Sequence, residues 1–306
     1  MFELVFLGTS ASAPSVKRNL PAIMVKHDEH RFLIDCGEGT QRQILQAGIG
    51  FKRLNRILIT HGHLDHILGL AGLLSTLLRW ETMEEMVIYG GKAALNRVND
   101  LIYGVVLRGD PPPMLLSLVP VEEGVFIEEN NFSVTAIPVS HRGPDNYGYL
   151  FQEKGRRPFL PEKAEALGIP SGPLRRELVN GQAIELADGR QIHPDEVLGD
   201  LKPGTRLVVL GDVGDPSNLY TYCDQADTLV MEATYLESEA DMARQFGHMT
   251  ARRSAELAVR AGVQQLILTH LSRRYRERDI LQEAQEVFPN TIVARDFDTI
   301  SVKKDE

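Results

Sequence analysis

Apolar residues fall along this chain in two rhythms. Runs such as FELVFLG (residues 2–8), LNRILIT (54–60), TLVMEAT (228–234) and QLILTH (265–270) are rich in apolar residues. Such runs read as strands. RFLIDCGEGT, EMVIYG, NFSVTAIPVS, YGYLFQE and TRLVVLGD also read as strands, some closed by a glycine turn. Between them apolar residues return every three or four positions, which predicts helices. GTQRQILQAGI carries Ile44 and Leu45 on its expected apolar face, and ILGLAGLLSTLLRW is apolar enough to be a buried helix. GKAALNRVNDLIYGV, TARRSAELAVRAG and RERDILQEAQEVF are further helical patterns. Strands alternating with helices give an α/β chain.

One stretch departs from this texture. From residue 153 to 203 Pro and Gly rise and apolar runs shorten, so the segment reads as an insertion with little core of its own. The rest is expected to form a single domain spanning residues 1–306 around it. Taken alone, the net charge of -9 argues against nucleic acid as a partner, although such binding depends on local patches. There is no apolar run of about eighteen residues, and no basic segment precedes the apolar N-terminus, so neither a membrane span nor a signal peptide is expected. Cys36 and Cys223 are the only cysteines, which suits a reduced, cytoplasmic protein.

Candidate chemistry gathers at strand ends. RILITHGHLDHILGL sets His61, His63, Asp65 and His66 just beyond a strand, in the pattern H-x-H-x-D-H. Imidazole and carboxylate are the ligands that divalent zinc or manganese accepts. In an extended turn, side chains two apart point the same way, so His61 and His63 can grip one ion. Asp65 and His66 follow as the chain bends into a helix and can face a second. His141, Asp212 and His270 each lie just past another predicted strand. Singly, each could be a turn residue or a structural histidine. Together they fit a site built where strand ends converge. His27, His30 and His193 sit among polar turn residues and are expected to be solvated.

This set resembles the metallo-β-lactamase superfamily. The resemblance implies a four-layer αβ/βα sandwich with a two-metal site in the cleft between its sheets. It implies that His61, His63 and His141 hold a first Zn2+, that Asp65, His66 and His270 hold a second, and that Asp212 bridges them. Mn2+ could replace zinc. A clamp of two ions and a water of lowered pKa suits hydrolysis of an ester, amide or phosphodiester.

Three further segments resemble ribonuclease Z, the family that trims tRNA 3′ ends. FLGTSASAPSVKRN is similar to its first loop, with Arg18 and Asn19 matching. FGHMT is similar to its short histidine motif and implies His248 as proton donor to the leaving oxygen. Thr250 would equally serve as a helix N-cap there. The insertion stands where that family carries a protruding, tRNA-gripping arm, and Gly172 and Pro173 match the arm's Gly-Pro segment. Between Lys154 and Arg176 six cations (154, 156, 157, 163, 175, 176) face Glu162 and Glu165, a local balance of +4. Arg175 and Arg176 are thus candidate phosphate contacts. Arg273, Arg274, Arg276 and Arg278 read equally as a solvated helix start and as a guide for RNA.

The resemblance implies a homodimeric endonuclease that cuts precursor tRNA after the discriminator nucleotide. Asp65 would orient or deprotonate the water as well as touch metal. A small-molecule phosphodiesterase or sulfatase on the same ligands is the alternative. The first loop departs from the family's usual P-x-K-x-R-N, because its lysine stands one place later, at Lys17. That departure concerns rejection of tRNAs already bearing CCA.

Overall fold

The computed structural model describes residues 1–80 and 83–304, Trp80 by its backbone alone. Its strands are β1 (Glu3–Gly8), β2 (Ala22–His27), β3 (His30–Ile34), β4 (Arg56–Ile59), β5 (Glu85–Gly90), β6 (Leu115–Pro120), β7 (Gly124–Glu128), β8 (Phe132–Pro138), β9 (Tyr147–Glu153), β10 (Ile184–Glu185), β11 (Gln191–Ile192), β12 (Arg206–Val209), β13 (Thr228–Glu232), β14 (Gln265–Thr269), β15 (Thr291–Val293) and β16 (Thr299–Ser301). Two seven-stranded sheets form, ordered β16-β1-β2-β3-β4-β5-β6 and β15-β14-β13-β12-β9-β8-β7. β3 to β6 run parallel, as do β12 to β15.

Strand alternation explains the layering. On β1, Leu4 and Phe6 enter the core between the sheets, while Val5 and Leu7 pack on the outer helices. β4 divides in the same way, with Leu58 inside and Ile57 and Ile59 outside. In the second sheet Val209, Val230 and Ile267 meet the first sheet, and Val208, Leu229 and Leu268 meet the helices. Both faces of each central strand are therefore apolar, which accounts for the unbroken runs in the sequence. Helices Gly69–Trp80 and Lys92–Asn99 cover the first sheet, the latter passing into a π-helical turn at Asp100–Val106. Helices Ala251–Arg260 and Glu277–Gln285 cover the second. The result is the four-layer αβ/βα sandwich.

Three expectations are corrected. Ile44 is buried as expected, but Leu45 is exposed: successive helical positions turn by about 100°, and the helix Thr40–Gln46 buries Thr40 and Gln43 beside Ile44. His27 is buried, not solvated: it ends β2, with its ring 4.6 Å from Phe2 and 4.8 Å from Phe132. The insertion does have a core. Residues 153–204 form a compact unit in which Ala164, Ile169, Leu178, Ile184, Ile192 and Val197 pack together. Its apolar positions lie on short helices and the hairpin β10–β11, so no long run announces them.

Candidate active site

Each candidate ligand sits where a strand of the sandwich ends. β4 delivers Thr60 and His61, and the chain then stays extended through His63 before turning into the helix Leu64–Ile67. β12 delivers Asp212 and β14 delivers His270. Close packing lets the segments converge. A Cβ on Gly211 would lie 2.7 Å from Thr60 Oγ1, and one on Gly69 would lie 1.9 Å from the Gly37 carbonyl oxygen, so neither place admits a side chain.

The buried Asp212 carboxylate organises the site. Its Oδ2 lies 3.6 Å from His61 Nε2 and 3.7 Å from His141 Nε2. Its Oδ1 lies 3.6 Å from His66 Nε2 and 3.3 Å from His270 Nε2. His63 Nδ1 joins the first group, 2.9 Å from His61 Nε2. Asp65 Oδ2 joins the second, 3.7 Å from His66 Nε2 and 3.6 Å from His270 Nε2. The seven residues singled out as metal ligands thus come together, as two sets that share one aspartate.

A cation fits this cluster. Among the described residues His66 Nε2, His270 Nε2 and Asp212 Oδ1 are buried with no hydrogen-bond partner. Orphaned polar atoms are costly to bury, and three aimed together call for an ion. The far ring nitrogens are engaged: His61 Nδ1 by Thr60 Oγ1 (3.1 Å), His66 Nδ1 by Asp35 Oδ2 (2.7 Å), His141 Nδ1 by the Gly247 carbonyl (2.7 Å) and His270 Nδ1 by Thr234 Oγ1 (2.9 Å). Such outer partners fix a ring's orientation and aim its free nitrogen.

The electrostatics agree. Burial pushes His61 well below the usual imidazole range, and also lowers His63 and His141, leaving them neutral as a metal requires. Burial alone would raise Asp212, but His270, His66 and His61 hold it well below the carboxylate range. Burial would likewise lower His66, yet Asp35 and Asp212 raise it to about 10. Without a cation, that proton neutralises part of the buried acid.

Sequence reasoning passed over two acids. Asp35, just after β3, accepts from Thr60 N–H (2.8 Å) and Thr60 Oγ1 (2.8 Å) besides holding His66. Glu232, the last residue of β13, accepts from Val213 N–H (2.7 Å) and pairs with His248 Nδ1 at 3.0 Å. Burial works against a charged His248, but Glu232 raises it to about 9. Thr250 also caps the next helix by accepting from Arg253 N–H. Ser12, Asp35 and His270 of this site take left-handed backbone, a form non-glycine residues hold at a cost of about 1–3 kcal/mol. A cleft of about 490 Å³ opens over His63, Asp65, Asp212 and His248, with Arg142 and Arg273 on its wall.

The candidate RNA contacts are divided. Arg18 is turned inward: its guanidinium donates to Thr9 Oγ1, the Ala294 carbonyl and Glu277 Oε2, each at 2.6 Å. Asn19 donates its amide to the Glu38 carbonyl (2.9 Å). In the insertion Arg175 donates to the Ile169 carbonyl (2.8 Å) and lies over Phe159, so it serves the unit's own fold. Arg176 is exposed. Gly172 takes φ 129° ahead of Pro173, the first residue of the helix Pro173–Val179. Gly and Pro therefore have a local role there, whatever else they do.

The family model described as "Anti-Pycsar protein Apyc1" matches residues 2–156. That match ends before Asp212, His248 and His270 and before nearly all of the insertion. Whole-chain relatives carry another name. A protein named ribonuclease Z from Bradyrhizobium diazoefficiens is 47% identical over 99% of this chain and 100% of its own length. One of the same name from Archaeoglobus fulgidus is 40% identical over 100% and 99%. The crystal structure of human tRNase Z, short form, superposes with a TM-score of 0.69 at 23% identity, covering 99% of this chain and 100% of that one. At that identity the superposition speaks for the fold. The full-length relatives weigh more than the half-length match, because their similarity runs the length of the chain, through the positions of every candidate ligand and the insertion.

Proposed function

The chain belongs to the ribonuclease Z family, and from that premise we infer that it is an endoribonuclease removing the 3′ trailer from precursor tRNA. Cutting after the discriminator nucleotide would leave a 3′-hydroxyl on the tRNA and a 5′-phosphate on the trailer. The observation that carries the chemistry is the shared Asp212, whose two oxygens face two separate ligand sets.

His61, His63 and His141 would hold one ion, Asp65, His66 and His270 the other, with Asp212 common to both. Two zinc ions, or manganese, would supply positive charge against the phosphate and acidify a water enough for attack at neutral pH. The chain's own residues supply the proton transfers. Asp65 faces the cleft and can orient the water and draw on its proton. His248, kept protonated by Glu232, can donate to the departing 3′-oxygen, which leaves as a hydroxyl. Arg142 and Arg273 give the cleft the positive charge that a phosphodiester needs.

Residues 153–204 would be the tRNA-binding arm, with Gly172, Pro173 and Arg176 on its exposed surface. The working form would be a homodimer, one subunit's arm presenting tRNA to the other's site. Both cysteines are free and buried, which suits a reducing cytoplasm, and no helix among the described residues is long and apolar enough to cross a membrane.

The test is direct. Purified protein loaded with zinc or manganese is given a precursor tRNA with a 3′ trailer, and the termini of both products are mapped. Release of a 5′-phosphorylated trailer is expected. Intact precursor beside fast turnover of a small phosphodiester would replace this reading with the small-molecule one.

A further inference from the structure

The loop between β1 and β2 reaches the metal ligands. Ser12 N–H donates to Asp65 Oδ2 at 3.0 Å, the oxygen that also faces His66 and His270. Ser12 does so in left-handed backbone, φ 57°, which serine holds only when its surroundings impose it. The loop is also tied to the strand end bearing His270. Ala11 N–H donates to the Leu271 carbonyl (3.0 Å), and Leu271 N–H donates to the Thr9 carbonyl (2.9 Å).

Its far end is locked. Ser10 N–H donates to the Asn19 carbonyl (2.9 Å), closing the loop on itself. Asp296 accepts from Thr9 Oγ1 (2.7 Å), Asn19 N–H (2.7 Å) and Gln43 Nε2 (2.9 Å). Arg18 then bridges Thr9, the Ala294 carbonyl and Glu277, the first residue of the helix Glu277–Gln285. Its side chain is 15% exposed and that of Glu277 29%. A half-buried, charge-assisted pair with two further acceptors is a structural clamp, unlike a solvated ion pair.

We propose that Arg18 is a positioning residue for the metal site: through Glu277 it fixes the first loop, which holds Ser12 N–H on Asp65 and ties Asp65 to the His270 strand end. The inference rests on the two-ion reading above. It assigns Arg18 to the Asp65–His66–His270 set, which RNA does not need to be present to feel.

Zinc is titrated calorimetrically into metal-free wild type, Arg18→Ala, Glu277→Ala and Arg18→Lys, with a melting curve for each. Turnover of a small phosphodiester and of precursor tRNA is measured in parallel. Both alanine variants are expected to bind the first equivalent as wild type does and the second about 10-fold more weakly. Both substrates should suffer alike, and Arg18→Lys should recover part of the loss. Should Arg18→Ala fail to fold, Glu277→Ala carries the test, because it removes the partner and leaves the loop sequence intact. Unchanged zinc binding in Glu277→Ala, whatever its effect on precursor cleavage, would overturn the proposal. A wild type that takes up no second equivalent would sink the two-ion reading and this inference together.

Discussion

Glu232 sets its two carboxylate oxygens against His248 Nδ1, at 3.0 and 3.1 Å. The acid is buried and receives Val213 N–H and the Thr234 hydroxyl as well, so it is fixed in place. The imidazole beside it is therefore a charged acid at neutral pH, raised to about 9. Asp212 Oδ2 lies 3.9 Å from His248 Nδ1, and cations held by that carboxylate would pull the value down in the loaded enzyme, but the sign of Glu232's effect remains. Protonated His248 is available below its pKa, and activity should fall as pH rises through it. Glu232→Gln should move this alkaline limb to lower pH, as read in a pH–rate profile. His248→Ala should cost about 10²–10⁴-fold in kcat, the ordinary worth of a general acid.

Asp35 has no place in the ligand set, yet His66 depends on it. Its carboxylate fixes which His66 nitrogen faces the cluster, and it also satisfies two donors of Thr60 next to His61. Asp35→Asn should weaken zinc affinity about 10- to 100-fold, measured by competition with a chelating dye. Leaving buried Thr60 donors poorly matched should also cost about 1–3 kcal/mol, visible as a lower urea midpoint.

These two acids show where reading a sequence stops. Metal chemistry forces residue type, so histidines and acids at strand ends stand out in a linear chain. The acids behind them do not. Asp35 and Glu232 look like ordinary strand-end residues, and their histidine partners stand 31 and 16 positions away. Arg18 is the converse case. It matches a motif linked to RNA, but its guanidinium partners are 259 and 276 positions downstream. The burial of His27 is hidden for a related reason. β2 ends in Lys26 and His27 before a polar turn, while the Phe132 ring that buries the imidazole comes from the other sheet. The alternation of strands and helices was legible in the apolar rhythm, whereas the four layers followed only from the resemblance.

Removing metal should expose the charge balance of the site. In metal-free protein His66 carries a proton up to about pH 10, held by Asp35 and Asp212 against the effect of burial. Its raised pKa helps the metal-free fold below about pH 6.5, and that help is lost as pH rises through about 10. A cation must displace the proton. Zinc affinity should therefore rise with pH across the neutral range, and calorimetry in buffers of different ionisation enthalpy should show proton release on binding. Saturating zinc at 100 times its Kd should stabilise the fold by about 2.7 kcal/mol. His63→Ala should lose metal and cleavage while a gel shift still detects tRNA binding. Equal loss of RNA binding would tie metal and RNA recognition into one site.

The insertion offers the cleanest separation of binding from chemistry. Residues 153–204 have their own core, and their ends are paired at a neck, where Arg156 N–H donates to the Lys202 carbonyl and Lys202 N–H to that of Arg156, both at 2.9 Å. None of the seven candidate ligands lies in this segment. Replacing residues 157–201 with a short glycine linker should therefore leave the sandwich folded, with its ligands in place. A small phosphodiester should be turned over at the wild-type rate. Precursor tRNA should be cut less efficiently, mainly through KM, because the lost contacts bind RNA without touching the reacting phosphate. The surface cations divide further. Arg176→Ala should raise KM and flatten its salt dependence, since an exposed arginine on phosphate acts by releasing counterions. Arg175→Ala should lower the melting temperature, because that guanidinium holds the Ile169 carbonyl and covers Phe159. An equal loss on both substrates after replacing the insertion would mean that the segment supports the catalytic unit and is no RNA arm.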